Sequence, residues 1–247
     1  MKKNNLLTEN NISLLKDTKW NNVIAVTGAL GSGKTELTIS LASAMAESGV
    51  SVVLADMDII NPYFCLRALS GDIMKKNLSV LTPPGDIKWG DMSYINPLIR
   101  TKIDDPSNRL IIDVGGDSQG ALALKQFEPE IIKAGYDLIF VINPYRTHTK
   151  TFSEIAEMKD KLEATCGLKV NSIAANPHLM DVTSSKDCAE GIILVDEFSK
   201  KMGIPMLFGI AEESISSDVR KILPDNIQMW ILQREILLPW ERGKVRI

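Results

Sequence analysis

Eight consecutive residues, Gly28-Ala29-Leu30-Gly31-Ser32-Gly33-Lys34-Thr35, match the pattern G-x-x-x-x-G-K-[ST]. The chemistry this pattern serves is the capture of phosphate. Gly28, Gly31, Ser32 and Gly33 form a wrap in which glycines let backbone N–H groups point inward at phosphate oxygens. Lys34 supplies a fixed positive charge for the β- and γ-phosphates, and the Thr35 hydroxyl is a ligand for magnesium. ATP with Mg2+ is the expected cofactor pair, with Lys34 also a catalytic candidate.

Such a loop works only between a buried strand and a helix whose N-terminal dipole faces the anion. Asn22–Thr27 is continuously apolar and β-branched, as a strand buried on both faces would be. After Lys34, Leu37, Leu41, Ala44 and Met45 fall on one helical face, and Gly49 supplies a stop. Ser51–Asp56, Leu110–Asp113, Leu138–Asn143, Ser172–Asn176 and Met206–Ile210 read as further strands. Helical patterns lie between them, at Ile155, Met158, Leu162 and Cys166 and at Ile192, Val195 and Met202. This alternation predicts an α/β, three-layer fold: a mostly parallel sheet with helices on both faces. Leu81–Asp86 reads as a loop. Residues 1–20 are polar and read as a loosely packed leader, and 21–247 as a single nucleotide-binding domain.

Ligands in such sheets bind at the carboxyl ends of the strands, so the polar residues there carry the functional information. Asp56 and Asp58 follow the second strand in Asp56-Met57-Asp58-Ile59-Ile60-Asn61-Pro62. Asp113 ends another strand in Ile111-Ile112-Asp113-Val114-Gly115-Gly116. Aspartates at strand ends also serve as turn formers and helix caps.

With the phosphate loop, these spaced segments resemble the septum-site, plasmid-partition and nitrogenase-iron-protein-like P-loop ATPases, the MinD/ParA-like family, from about Asn22 to Ile210. The resemblance implies a P-loop NTPase fold and ATP hydrolysis. It makes Asp58 the residue that orients the attacking water and a contributor to the metal site. It makes Asp113 the carboxylate that holds magnesium through water, and gives Gly116 an N–H that senses the γ-phosphate. Asn176 corresponds to the strand-end asparagine that contacts adenine. No N-K-x-D sequence is present, so the guanine reader of GTPases is missing and ATP is favoured.

The chain departs from the family at Ala29, where members carry a second lysine that reaches a partner's nucleotide. Cys65 lies near the expected site without a paired cysteine, and His148 and His178 share no ligand spacing. The segment Ile231–Trp240 is apolar and basic, but Pro239 limits a helix there, and docking on the protein's own body is expected.

The 247 residues carry 28 basic and 31 acidic side chains, with 45% hydrophobic residues. That composition supports a globular core. No basic stripe suggests nucleic acid, and no apolar run approaches the roughly 18–20 residues of a membrane span. The three scattered cysteines argue for a reducing compartment, so a cytoplasmic location is expected.

The leading functional expectation is a magnesium-dependent ATPase that switches a partner protein or a second copy of itself between ATP and ADP states. Metalloenzyme or redox-complex maturation is the class of partner that the resemblance suggests. The alternative is a small-molecule kinase or ATP-dependent ligase, with Lys88, Trp89 and Arg100 in the acceptor region. A third is a module that binds ATP without turnover.

Overall fold

Val23–Gly28 forms the first strand, β1, and every residue in it is buried. A run that is apolar on both faces has no side to offer water, so it belongs mid-sheet between two helix layers. The computed structural model describes residues 8–57, 77–81, 95–116 and 118–234 and has β1 in that position. The other strands are β2 (Val52–Met57), β3 (Leu78–Leu81), β4 (Arg109–Val114), β5 (Tyr136–Ile142), β6 (Ser172–Ala175), β7 (Met206–Glu212) and β8 (Met229–Leu232). They form one sheet in the order β3-β2-β4-β1-β5-β6-β7-β8, and all neighbouring pairs are parallel. This is the α/β P-loop NTPase architecture. The chain crosses β1 on passing from β4 to β5, which opens a crevice at the carboxyl end of β1.

Helices α1 (Glu9–Asp17) and α2 (Lys34–Glu47) cover one face. The other side carries α3 (Leu98–Ile103), α4 (Ser118–Lys125), α5 (Glu128–Ala134), α6 (Phe152–Cys166), α7 (Ser185–Met202) and α8 (Glu213–Ile222). Strand alternation divides the core. Ile24, Val26, Leu54, Ile111, Ile139 and Val141 pack with Leu37, Leu41 and Met45 of α2. Ala25, Ala55, Ile112, Phe140 and Ile142 pack on the opposite side with Leu124, Ile155 and Ile192. Along α2 every residue except Glu36 and Glu47 is buried. Its threonines and serines turn inward: Thr38 Oγ1 donates to the Lys34 carbonyl at 2.6 Å, and Ser40 Oγ accepts from Trp230 Nε1 at 3.0 Å.

Local signals set the helix limits on the far face. Thr151 with Glu154 and Ser184 with Asp187 make capping boxes at the starts of α6 and α7, and Gly167 and Gly203 end them in left-handed caps. Cys166 and Cys188 are buried, and burial pushes the Cys188 thiol up to about 12. Cys65 lies outside the described residues. No described helix is long and apolar enough to cross a membrane.

The two sheet edges depart from the expectation. Leu81 ends β3 rather than beginning a loop. With four residues and only Leu78 fully buried, β3 is too short to show a period. Ile231 and Leu232 belong to β8, paired with Ala211 and Glu212 of β7; residues 235–240 lie outside the described residues. The loose packing expected before residue 20 does not describe α1. Asn11 is fully buried; its Oδ1 accepts from Ile231 N at 2.9 Å, and its Nδ2 donates to the Ile231 carbonyl at 2.9 Å. Asn10 donates to the Met229 carbonyl. The polar run thus occupies the outer edge of β8, which would otherwise present unpaired backbone groups.

Trp230 has no exposed surface and joins β8 to α2. Trp230→Ala is expected to lower stability by about 3–5 kcal/mol, read as a shift of the urea midpoint at an unchanged slope.

Candidate functional site

The segment from Gly28 to Thr35 leaves β1 and enters α2 at the carboxyl edge of the sheet, and three strand ends press on it in succession. Gly116, just beyond β4, lies so close to Gly28, Ala29 and Leu30 that a Cβ would stand 3.1 Å from both the Ala29 carbonyl carbon and Leu30 N. Arg146, beyond β5, donates from Nε to the Gly31 carbonyl at 3.1 Å. Asn176, beyond β6, donates from Nδ2 to the Ser32 carbonyl at 2.7 Å. Gly33 has φ +86°, and a Cβ there would collide with the Asn176 amide, so glycine is required on both counts. The loop is therefore shaped from outside by β4, β5 and β6.

Gly33 is also the N-cap of α2 and offers no side-chain cap. A 14-residue helix thus starts with N–H groups and a positive dipole end facing the loop. Among the described residues the N–H groups of Gly31 and Gly33 donate to no protein acceptor. The Ser32 hydroxyl is buried with no partner among them. Lys34 and Thr35 are both buried, at 5% and 7% exposure. Unsatisfied donors around a backbone cradle, with a buried ammonium at its base, form an anion site.

Asp113 and Asp56 lie side by side in parallel register on β4 and β2, at 0% and 2% exposure. Alternation places them on the α2 face, with Ile111 and Leu54. Two carboxylates buried in adjacent strands need positive charge nearby. Lys34 begins the helix on that face. With the Thr35 hydroxyl the donors are all oxygen, the set that suits a hard cation such as magnesium. No three His, Cys, Asp or Glu side chains converge as a metal site among the described residues. Asp58, Lys88 and Trp89 lie outside the described residues. Arg100 does not reach the loop; it pairs with Glu130 at 2.7 Å on the sheet's far side.

The turn after β5 is the part of the site that sequence reading left without a role. Asn143, buried at 1% exposure, organises it. Asn143 Oδ1 accepts from Tyr145 N at 3.1 Å and its carbonyl from Thr149 Oγ1 at 2.6 Å. Its Nδ2 donates to the His178 carbonyl at 2.9 Å, which ties this turn to the loop after β6. His178 Nδ1 accepts from Met180 N at 3.1 Å, so Nε2 carries the proton and faces Glu212 at 3.7 Å. Burial holds the His178 pKa below its ordinary value. Glu212 opposes that shift, while Arg234 and Arg146 reinforce it. Asn176, His178 and Glu212 thus stand together beside the loop's far end. An opening of about 400 Å³ lies beside the start of the loop, between α4 and α6. Gly28, Gly116, Phe140, Met158 and Lys161 are among its lining residues.

No protein-family model matches the chain, and no curated protein matches it. Solved structures do. FtsY from Mycoplasma mycoides aligns over 79% of this chain and 62% of its own, at 18% identity and a TM-score of 0.50. Chloroplast FtsY from Physcomitrella patens aligns over 83% and 63%, at 17% identity and a TM-score of 0.50. A nucleotide-binding protein in complex with ADP from Archaeoglobus fulgidus aligns over 88% and 90%, at 18% identity and a TM-score of 0.47. The chain spans about three-fifths of the length of those FtsY structures. The likeness to the two FtsY structures shows the P-loop fold. The finer MinD/ParA-like resemblance rests on the motifs.

Because the folded chain disfavours protonated His178, it binds fewer protons there than the unfolded chain does. Stability from this group is complete above the ordinary value of 6.5 and is lost as pH falls through the depressed one. The melting temperature of the wild type should therefore drop more between pH 7 and pH 5 than that of His178→Asn, whose Oδ1 keeps an acceptor near Met180 N.

Proposed function

We propose that this protein binds ATP with magnesium and hydrolyses it as a nucleotide-controlled switch. One observation carries the reading: the Gly28–Thr35 backbone is held open by Gly116, Arg146 and Asn176, with unsatisfied N–H groups over an uncapped helix start. The β- and γ-phosphates fit that cradle, with Lys34 neutralising their charge. Asn176 contributes to the adenine side, and the lack of an N-K-x-D segment favours ATP over GTP. Magnesium would be held by Thr35, Asp113 and Asp58, and supplies charge neutralisation to the phosphates when bound.

In this reading the chain's own groups act by position. Phosphoryl transfer to water requires little covalent help from protein and much fixed charge. The loop N–H groups orient the phosphates, Asp58 aligns the attacking water, and Gly116 registers the terminal phosphate through its backbone. Gly116 rests directly on the loop's first residues, so loss of that phosphate is felt by the segment leading into α4. The output is altered affinity for a partner protein or for a second copy of the chain, with a metalloenzyme or redox complex as the class of partner to screen first.

The opening beside Gly28 and Gly116 favours one second reading, transfer of the terminal phosphate to a small acceptor. The purified chain decides between them. A switch shows slow turnover with ATP alone and a nucleotide-dependent change in mass by light scattering. A kinase shows turnover only when its acceptor is added.

Calorimetric titration with ATP, ADP and GTP, with and without magnesium, tests the nucleotide. Lys34→Ala is expected to weaken ATP binding by roughly a hundredfold, the loss of charge-assisted bonds to two phosphates. Unchanged binding in that variant would overturn the proposal.

A further inference from the structure

At the loop position where the MinD/ParA-like family that the motifs resemble carries a second lysine, this chain has Ala29, buried at 6% exposure. A triphosphate in this cradle would therefore lack one cation from the loop itself. The turn after β5 brings one from elsewhere.

Arg146 lies half-buried against Gly31. A Cβ on Gly31 would stand 3.3 Å from its Nε and 3.6 Å from its guanidinium carbon. The absence of a side chain at residue 31 is what lets the guanidinium lie flush on the loop. One donor, Nε–H, is taken by the Gly31 carbonyl. The remaining guanidinium N–H groups meet no acceptor among the described residues. No described carboxylate pairs with it either: nearby Glu212 faces His178, and Arg234 takes Asp181 at 3.5 Å. No carboxylate among the described residues balances this guanidinium, and the planar fork of arginine is the group best matched to phosphate.

The side chain is also held in place at its base. Arg146 N donates to the Asn143 carbonyl at 3.2 Å. The Arg146 carbonyl accepts from Thr149 N at 3.2 Å and from Thr149 Oγ1 at 3.1 Å. Asn143 in turn is fixed to the loop after β6. A phosphate bound by the loop N–H groups sits within about 3 Å of them. That puts it well inside a Debye length of the guanidinium.

We propose that Arg146 is the cation that faces the bound polyphosphate from within the same chain, taking the electrostatic place left open at Ala29. The proposal rests on the nucleotide reading above. It commits Arg146 to the terminal phosphates of a nucleoside triphosphate rather than to the base. It also makes the chain's charge complement independent of a second copy.

The test compares wild type, Arg146→Gln, Arg146→Lys and Lys34→Ala. The readouts are ATP and ADP affinity by titration with fluorescent analogues, ATP turnover, and melting temperature without nucleotide. Arg146→Gln should weaken ATP by roughly tenfold or more and ADP by less, with turnover falling in parallel. Arg146→Lys should keep most of the ATP preference, and both should melt within about 2 °C of wild type, since one exposed-edge hydrogen bond is lost. If both variants bind ATP like wild type while Lys34→Ala does not, Arg146 has no such role and the nucleotide reading stands. If both lose ATP and ADP equally and melt early, Arg146 only braces the loop, and the proposal falls. If Lys34→Ala also binds like wild type, the nucleotide reading fails and this inference fails with it.

Discussion

The site depends on a steric constraint: eight backbone residues must pass from β1 into α2 without a side chain standing between them and three neighbouring strand ends. Gly28, Gly31, Gly33 and Gly116 are the points where backbone meets backbone, guanidinium or amide. A side chain at Gly33 or Gly116 would push the loop off the β4 or β6 terminus. Packing density leaves little room for the displaced atoms to go. The curvature of the loop is therefore imposed by the sheet, with the glycines permitting it. This is why the donors are already oriented before any ligand arrives, which is the condition for electrostatic work at low reorganisation cost.

The same constraint explains the distribution of charge. Strand alternation puts Asp56 and Asp113 on the α2 face, where the start of that helix and Lys34 supply positive potential. The two buried carboxylates thus lie on the face where α2 begins, and the cations Lys34 and Arg146 stand at the base and side of the loop. The apolar layers beneath keep the dielectric low around the buried Lys34, Asp56 and Asp113, so these charges act at longer range than they would at the surface. The sheet's far face, with α6 and α7, carries ordinary i,i+4 pairs such as Lys161–Glu157 and Lys200–Asp196, which contribute little beyond solubility.

Much of this was legible from residue types alone. The phosphate loop, the inner strands and the helices α2, α6 and α7 each carry a long periodic or continuous apolar signal, because each is buried along its length. The short edge strands β3 and β8 were not legible, since four residues hold too little pattern to tell strand from loop. Arg146 belongs to no motif that would give it a role. Its place depends on Asn143 and Thr149 in its own turn and on the absence of a side chain at Gly31, which is 115 positions away in sequence and adjacent only in space. Asn176 is read from the sequence as a base contact, whereas the structure has its side-chain amide donating a hydrogen bond to the Ser32 carbonyl, a bracing duty that spacing could not reveal. The docking of α1 was hidden because an asparagine run looks solvated, yet Asn11 imitates a backbone pair at a strand edge.

That last contact has a consequence for how the molecule is assembled. Asn11 and Ile231 are separated by 220 positions, so α1 leaves the ribosome long before the strand it fastens to exists. During synthesis α1 must wait, short and without its tertiary support, at a length where an isolated helix is marginal. β8 is likewise exposed along its outer side until α1 closes over it. Such distant pairings are made late and slowly, which makes the clasp between α1 and β8 a closing step of assembly rather than a seed for it. A chain interrupted in this interval would present a bare strand edge, the feature through which partly folded sheets recruit one another.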